Sequence, residues 1–215
     1  MFDYDDAYRS TSSYFGEAPD PLLDRFLGLV EAGAHVLDVG CGQGRNTLFL
    51  ARRGRRVTAI DPSAVAIEQV TRHAAAEGVE INPVVGGFGN VDLEPQVFGA
   101  VMVFGLIPDL PGDRVKPLIG WARSKVANGG SLWLTGFTTE DPAFERHRNQ
   151  WRSIDVNSFV SPDGMVRTYL APGEILGSVS DAEVLHHWEG LGPEHRHGDG
   201  PVERHGRFEA IFRLR

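Results

Sequence analysis

Between positions 35 and 61 the chain places a carboxylate at Asp38, glycines at Gly40, Gly42 and Gly44, and a second carboxylate at Asp61. They sit in His35-Val-Leu-Asp-Val-Gly-Cys-Gly-Gln-Gly-Arg-Asn-Thr47 and, further on, Val57-Thr-Ala-Ile-Asp61. Glycines between a strand and a helix let a ligand approach the backbone closely, and an acid about twenty residues later accepts hydrogen bonds from a ribose diol. Asp61 follows Gly40 by twenty-one residues. The chemistry this suits is the binding of an adenosine, its ribose at Asp61 and its other end over the glycines. Two details narrow the ligand. Arg45 fills the position where a dinucleotide loop carries a glycine, and Asp38 would set negative charge beside a pyrophosphate. A carboxylate there suits an amino group instead. S-adenosylmethionine has an ammonium, a carboxylate and a free ribose diol, so it meets all three constraints.

Asp38-Val-Gly-Cys-Gly-Gln-Gly44 followed by Asp61-Pro-Ser63 resembles the first two motifs of class I SAM-dependent methyltransferases. Gly16-Glu-Ala-Pro-Asp-Pro-Leu-Leu23 and Gly42-Gln-Gly-Arg-Asn-Thr-Leu-Phe-Leu-Ala-Arg-Arg-Gly54 are similar to the small bacterial branch that includes tellurite-resistance TehB-like enzymes. The resemblance covers residues 14–136 and thins to general topology beyond them. It implies methyl transfer from SAM to a small-molecule nucleophile by in-line displacement. It also implies a donor site built from Asp38, Gly40, Cys41, Gly42, Gly44, Asn46, Asp61 and Pro62, with Gly87, Phe88 and Phe104 on the loops after the third and fourth strands. An acid usually meets the adenine amine in that family, and Gly87 stands at the aligned position, leaving Phe88 and Asn90 as contacts. Phe98-Gly99 is a second departure, where Phe/Tyr-Asp is common. Two rival readings are a nicotinamide-dependent oxidoreductase, which Arg45 and Asp38 oppose, and a SAM/SAH-binding protein without turnover.

The elements that must position these residues follow from punctuation and periodicity. Asp20-Pro21 caps a helix with Leu22, Leu23, Phe26, Leu27 and Val30 on one face. Strand 35–39, helix 44–53, strand 57–60 and helix 64–77 follow, the last opened by Ser63 and ended by Gly78. Short apolar strands are expected at 81–85 and 100–104, a helix from Pro111-Gly112-Asp113, and a strand at 131–136. Runs 182–188 and 205–214 read as an antiparallel C-terminal hairpin. The expected fold is a single α/β domain over 1–215: a doubly wound, Rossmann-like, seven-stranded, mainly parallel sheet. The seven-strand topology and the placing of the hairpin at the sheet edge come from the resemblance.

Composition bounds the partners. A net charge of −8 argues against sequence-independent nucleic-acid binding. Arg52, Arg53, Arg55 and Arg56 form a local basic cluster, most simply a solvated helix end. No apolar run reaches the roughly 18 residues of a bilayer span, so no membrane partner is expected. The single cysteine, Cys41, cannot form an internal disulfide, which fits the cytoplasm. A monomer or homodimer is expected. Cys41 also invites a nucleophile hypothesis, but no matched base accompanies it.

Three regions remain open. Five of the eight histidines, His186, His187, His195, His197 and His205, fall within twenty residues. His195-x-His197 in an extended segment puts both rings on one face, where His205, Glu203 or Asp199 could complete a metal site. The same residues with Arg196 could instead hold an anionic substrate or supply a general base; a polar hairpin is the third reading. Residues 1–20 hold Tyr4, Tyr8, Tyr14 and Phe15, and the resemblance makes this segment a lid, with Tyr14 a candidate catalytic residue. Residues 138–180 form a second candidate cover, of which 138–170 carries Trp151, Arg152, Asn157, Phe159, Arg167 and Tyr169 with little periodicity.

Overall fold

The computed structural model describes residues 4–95, 97–196 and 202–215. Five parallel strands form the centre: β1 (His35–Val39), β2 (Arg56–Asp61), β3 (Asn82–Val85), β4 (Phe98–Val103) and β5 (Val126–Thr138). β10 (Gly206–Arg213) pairs antiparallel with β5, and β9 (Glu183–Leu191) antiparallel with β10. The main sheet therefore runs β3-β2-β1-β4-β5-β10-β9. The C-terminal hairpin matches expectation, with only β10 opposing the parallel set of these seven, but three further strands within residues 152–170 extend the sheet from β5 to ten strands rather than the expected seven. Crossovers such as the helix Arg45–Ala51 between β1 and β2 force the parallel arrangement, because a strand returning beside its predecessor must be carried back by a helix.

Both faces of the sheet are covered, and alternation along each strand divides the core. Leu37, Val39, Val101 and Val103 face α5 (Gly112–Lys125), meeting Val115, Leu118 and Ile119. Val36, Ala100, Met102 and Trp133 face the other way, onto Leu22 and Leu23 of α2 (Pro21–Phe26) and Phe49 and Leu50 of α3 (Arg45–Ala51). Burial on two faces explains why these strands read as continuous apolar runs. α4 (Ala64–Glu77) has the expected bounds: Ser63 Oγ accepts from the Ala66 N–H at 3.0 Å, and Gly78 closes it at φ 67°. α3 is shorter than 44–53, since Gly44 is its cap rather than its first residue.

Residues 138–180 depart from the aperiodic picture. They hold α6 (Phe144–Gln150), β6 (Arg152–Asp155), β7 (Ser158–Val160), β8 (Val166–Leu170) and α7 (Glu174–Ser178). β6, β7 and β8 form an antiparallel meander, and β8 joins the end of β5 in parallel through Phe137–Tyr169 and Thr138–Leu170. Strands of three to five residues are too short to show a period. A private core of Phe144, Phe159 and Tyr169 holds them together. Among the described residues, no helix is long and apolar enough to cross a membrane.

Candidate functional site

The loop after β1 is closed by its own amides. Gly40 and Cys41 N–H both donate to the Ile60 carbonyl, at 2.9 and 3.0 Å, and Gly44 N–H donates to the Cys41 carbonyl at 3.0 Å. Gly42 N–H donates to Asp61 Oδ2 at 2.9 Å. The glycines thus contribute room and curvature more than free donors. Gly40, Gly42 and Gly44 take φ 73°, 51° and 91°. At Gly44 no other residue fits, because a Cβ would stand 2.1 Å from Val70 Cγ2.

Asp61 is the acid at the centre of this arrangement. It is buried, and its Oδ1 accepts from the Ser63 N–H at 2.9 Å while Oδ2 takes Gly42. Burial raises its pKa, and the two amide bonds oppose that shift. Each oxygen retains a second lone pair, so a diol can be accepted without breaking either bond.

Asp38 is placed differently from a ligand contact. It is buried beneath the loop, off the cavity wall, with Oδ2 accepting from Thr47 Oγ1 at 2.6 Å. Burial pushes its pKa up to about 6 against the pull of the Thr47 hydroxyl. A carboxyl raised in the fold destabilises it once both folded and unfolded forms are ionised. Asp38→Asn is therefore expected to gain stability over the parent as pH rises from about 4 to above 6, by about 2–3 kcal/mol from the shift. Urea unfolding at pH 4.5 and 7.5 checks this; a pH-independent difference contradicts it.

One cavity of about 1170 Å³ opens at the carboxyl ends of the strands. Its wall includes Gly40, Cys41, Gly42, Gly44, Asn46, Asp61, Pro62, Gly87, Phe88 and Phe104, so ten of the eleven donor-site candidates meet there and Asp38 stands behind. Asn46 Oδ1 also accepts from the Asp20 N–H at 2.8 Å, tying the loop to α2. Cys41 is no nucleophile candidate, since burial and the nearby Asp38 and Asp61 push its thiol well up and away from thiolate.

The N-terminal segment covers this cavity with α1 (Tyr4–Ser10). Tyr14 is a correction: its side chain is off the wall, packed edge-on against Phe15 at 4.9 Å, while its N–H donates to Gln43 Oε1 at 2.6 Å. Tyr4 and Tyr8 take the wall positions instead, their rings stacked 5.8 Å apart. Their spacing of four residues was the available signal, since it puts both on one helical face. Tyr4 Oη donates to Asp109 Oδ2 at 2.7 Å, and Arg167 of β8 donates to Asp109 Oδ1. Asp109 lies in a short turn after β4 and was not foreseen, because its partners are 105 and 58 residues away. Tyr4→Phe keeps the ring and removes the bond to Asp109, so amide exchange across 4–15 is expected to rise about fivefold, corresponding to about 1 kcal/mol. Unchanged exchange would show that the bond does not hold the lid.

The histidine candidates stand elsewhere. His205 Nδ1 pairs with Asp141 Oδ2 at 2.9 Å, its ring stacked on Phe137 at 4.1 Å. His195 Nδ1 meets the Pro193 carbonyl at 3.2 Å. Both lie off the cavity wall, and His197 lies outside the described residues. Among the described residues no three metal-ligating side chains converge. His205 therefore fastens the β9–β10 connection to the start of the 138–180 segment, and neither described histidine is placed for base or metal chemistry at the cavity. From that segment only Gly164, Met165 and Val166 reach the wall; Trp151 stacks on His147 at 3.8 Å and Tyr169 is buried. The arginine cluster is spent locally, with Arg52 on Glu77, Arg53 over Phe49, and Arg55 on the Val30 carbonyl.

Residues 36–130 match the model of a family described as "Methyltransferase domain". The chain is 32% identical over 114 residues to the ubiquinone biosynthesis O-methyltransferase of Xanthomonas euvesicatoria, covering 53% of this chain and 47% of that protein. It thus spans about half the length of the curated relatives it matches. Among solved structures, TehB of Haemophilus influenzae is similar at a TM-score of 0.69 and 20% identity, covering 90% of this chain and 61% of that one. The Burkholderia thailandensis 1,6-didemethyltoxoflavin-N1-methyltransferase, solved with S-adenosylhomocysteine, is similar at 0.65 and 16% identity, covering 98% of this chain and 79% of that one. These likenesses show the fold. The segment 36–130, which carries the glycine loop and Asp61 on one wall, is thus similar to a methyltransferase domain over a little under half of the chain.

Proposed function

We propose that this protein transfers a methyl group from S-adenosylmethionine to a small-molecule nucleophile. The observation that carries the reading is the placement of Asp61, fixed by two backbone amides on the wall of a cavity that also holds the glycine loop and an aromatic lid. The volume exceeds the upper end of ordinary small-molecule sites, leaving room for an acceptor beside the donor. When bound, SAM supplies an electrophilic methyl on a sulfonium.

The chain's own residues bind, orient and exclude water. Asp61 accepts from the ribose hydroxyls. Asp38, through Thr47, fixes α3 against β1 and so sets the loop that faces the amino-acid tail. Tyr4 and Tyr8 close the entrance, which removes water that would otherwise compete with the acceptor. Asp109, held by Tyr4 and Arg167, is the carboxylate available to an acceptor's hydroxyl or amine on the lid side. No covalent help from the protein is required, because alignment of nucleophile and methyl supplies most of the rate.

Among the similar proteins are an O-methyltransferase and an N-methyltransferase, which supports a small acceptor and leaves its attacking atom open. The net charge of −8 argues further against nucleic acid. Incubating the protein with methyl-labelled SAM and a cell metabolite extract tests the proposal: a labelled small product supports it. Binding of SAM without any labelled product supports a binding protein without turnover instead.

A further inference from the structure

The strand order β3-β2-β1 sets the direction of a bound adenosine. With its amino-acid tail at the β1 loop and its ribose at Asp61 on β2, the base falls at the loop after β3. Its cavity-facing stretch is Gly86-Gly-Phe-Gly-Asn90, which carries no acid, and Asp92 and Glu94 further along the loop are exposed and off the cavity wall. Asn90 spends its side-chain carbonyl on the loop itself, Oδ1 accepting from the Gly87 N–H at 2.7 Å. Phe88 and Arg114 both line the cavity, and the Arg114 guanidinium carbon lies 4.8 Å from the Phe88 ring centroid. Trp121 backs the phenyl at 6.4 Å. Of the five carboxylates on the wall, Asp61 serves the ribose, Asp5 takes Ser63 and Arg9, Glu77 pairs with Arg52 with Glu17 near the same guanidinium, and Asp109 holds Tyr4 and Arg167.

Adenine and hypoxanthine share a π face and differ at C6, where one presents an amino donor and the other a carbonyl acceptor. A phenyl ring offers neither partner. A guanidinium offers five donors and no acceptor, so it has nothing to give an amino group. A carboxylate on this loop would accept from the amine and strongly reject the carbonyl, as sites built around one hydrogen-bond polarity do. We infer that Phe88 and Arg114 form a cationic–aromatic shelf that holds the purine by its face and leaves its 6-position unread, so that the site takes a hypoxanthine nucleoside as readily as adenosine. The attraction is the stacking and cation–π kind, indifferent to which base edge is presented.

This inference rests on the SAM reading, and one calorimetric series separates the two. S-adenosylhomocysteine and its deaminated counterpart, S-inosylhomocysteine, are titrated into the full chain. Their affinities are expected to agree within about fivefold, against the orders of magnitude that a polarity-matched site imposes. A larger loss for the inosine compound overturns the shelf while leaving the donor assignment intact; absence of binding by either compound removes both. Arg114→Ala, on an exposed first helical turn, is expected to weaken both compounds by about threefold or more with no change in Tm. Unchanged affinity in that variant also overturns the shelf. Phe88→Leu repeats the test from the aromatic side, with the same expected loss.

Discussion

Gly44→Ala is expected to lower Tm by about 10 °C. Two costs combine. The added Cβ meets Val70 Cγ2 at 2.1 Å and Val70 Cβ at 2.9 Å, contacts that force α4 away from the loop and cost about 1–3 kcal/mol as overpacking. The residue also sits at φ 91°, which a side chain adopts at about 1–3 kcal/mol of strain. For about 200 residues each kcal/mol moves Tm by about 2–4 °C. Val70→Ala removes the colliding methyls but not the strain. In the Gly44→Ala background it should therefore cost at least about 1 kcal/mol less than it does alone. Additive losses in that double-mutant cycle, read by thermal or urea unfolding, would show that the two side chains do not collide.

Asp61→Asn is expected to weaken S-adenosylhomocysteine by about 10- to 100-fold, with little change of fold. A ribose hydroxyl donating to a charged acceptor contributes about 1.5–3 kcal/mol, and an amide oxygen recovers part of that. The asparagine carbonyl can still take one of the amides of Gly42 and Ser63, but its NH₂ faces the other as donor against donor, so the loop loses one of its two ties. Stability should move the opposite way with pH. Burial raises the Asp61 pKa, so the folded chain carries a penalty that grows as pH rises through that shifted range and that asparagine lacks. A variant that binds as tightly as the parent would remove Asp61 from the site.

Legibility in the sequence followed how local each determinant is. α4 was readable to the residue because Ser63 and Gly78 encode both ends in side-chain and backbone chemistry. The β1 loop and Asp61 were readable because the strand–loop–helix–strand unit fixes their spacing. The 138–180 segment was not, since β7 has three residues and its pairing depends on β8 reaching back to β5. Tyr4 and Tyr8 rather than Tyr14 reach the wall because the four-residue aromatic repeat puts both on one face of α1, a helix too short to stand out by its period. Asp109 gave no signal, as it matters only through Tyr4 and Arg167, brought together by tertiary packing. The histidine-dense run misled in the opposite sense: His205 is fixed by Asp141 and Phe137 as a structural clasp.

The central claim is that the Asp61 carboxylate holds the sugar diol of the donor. Calorimetry with S-adenosylhomocysteine and its 2′,3′-dideoxyribose analogue, each titrated into the parent chain and Asp61→Asn, addresses it directly. The account predicts that loss of the diol weakens binding to the parent by about tenfold or more and weakens binding to the variant far less. Equal penalties in the two proteins, or equal affinities of the parent for both compounds, would contradict it.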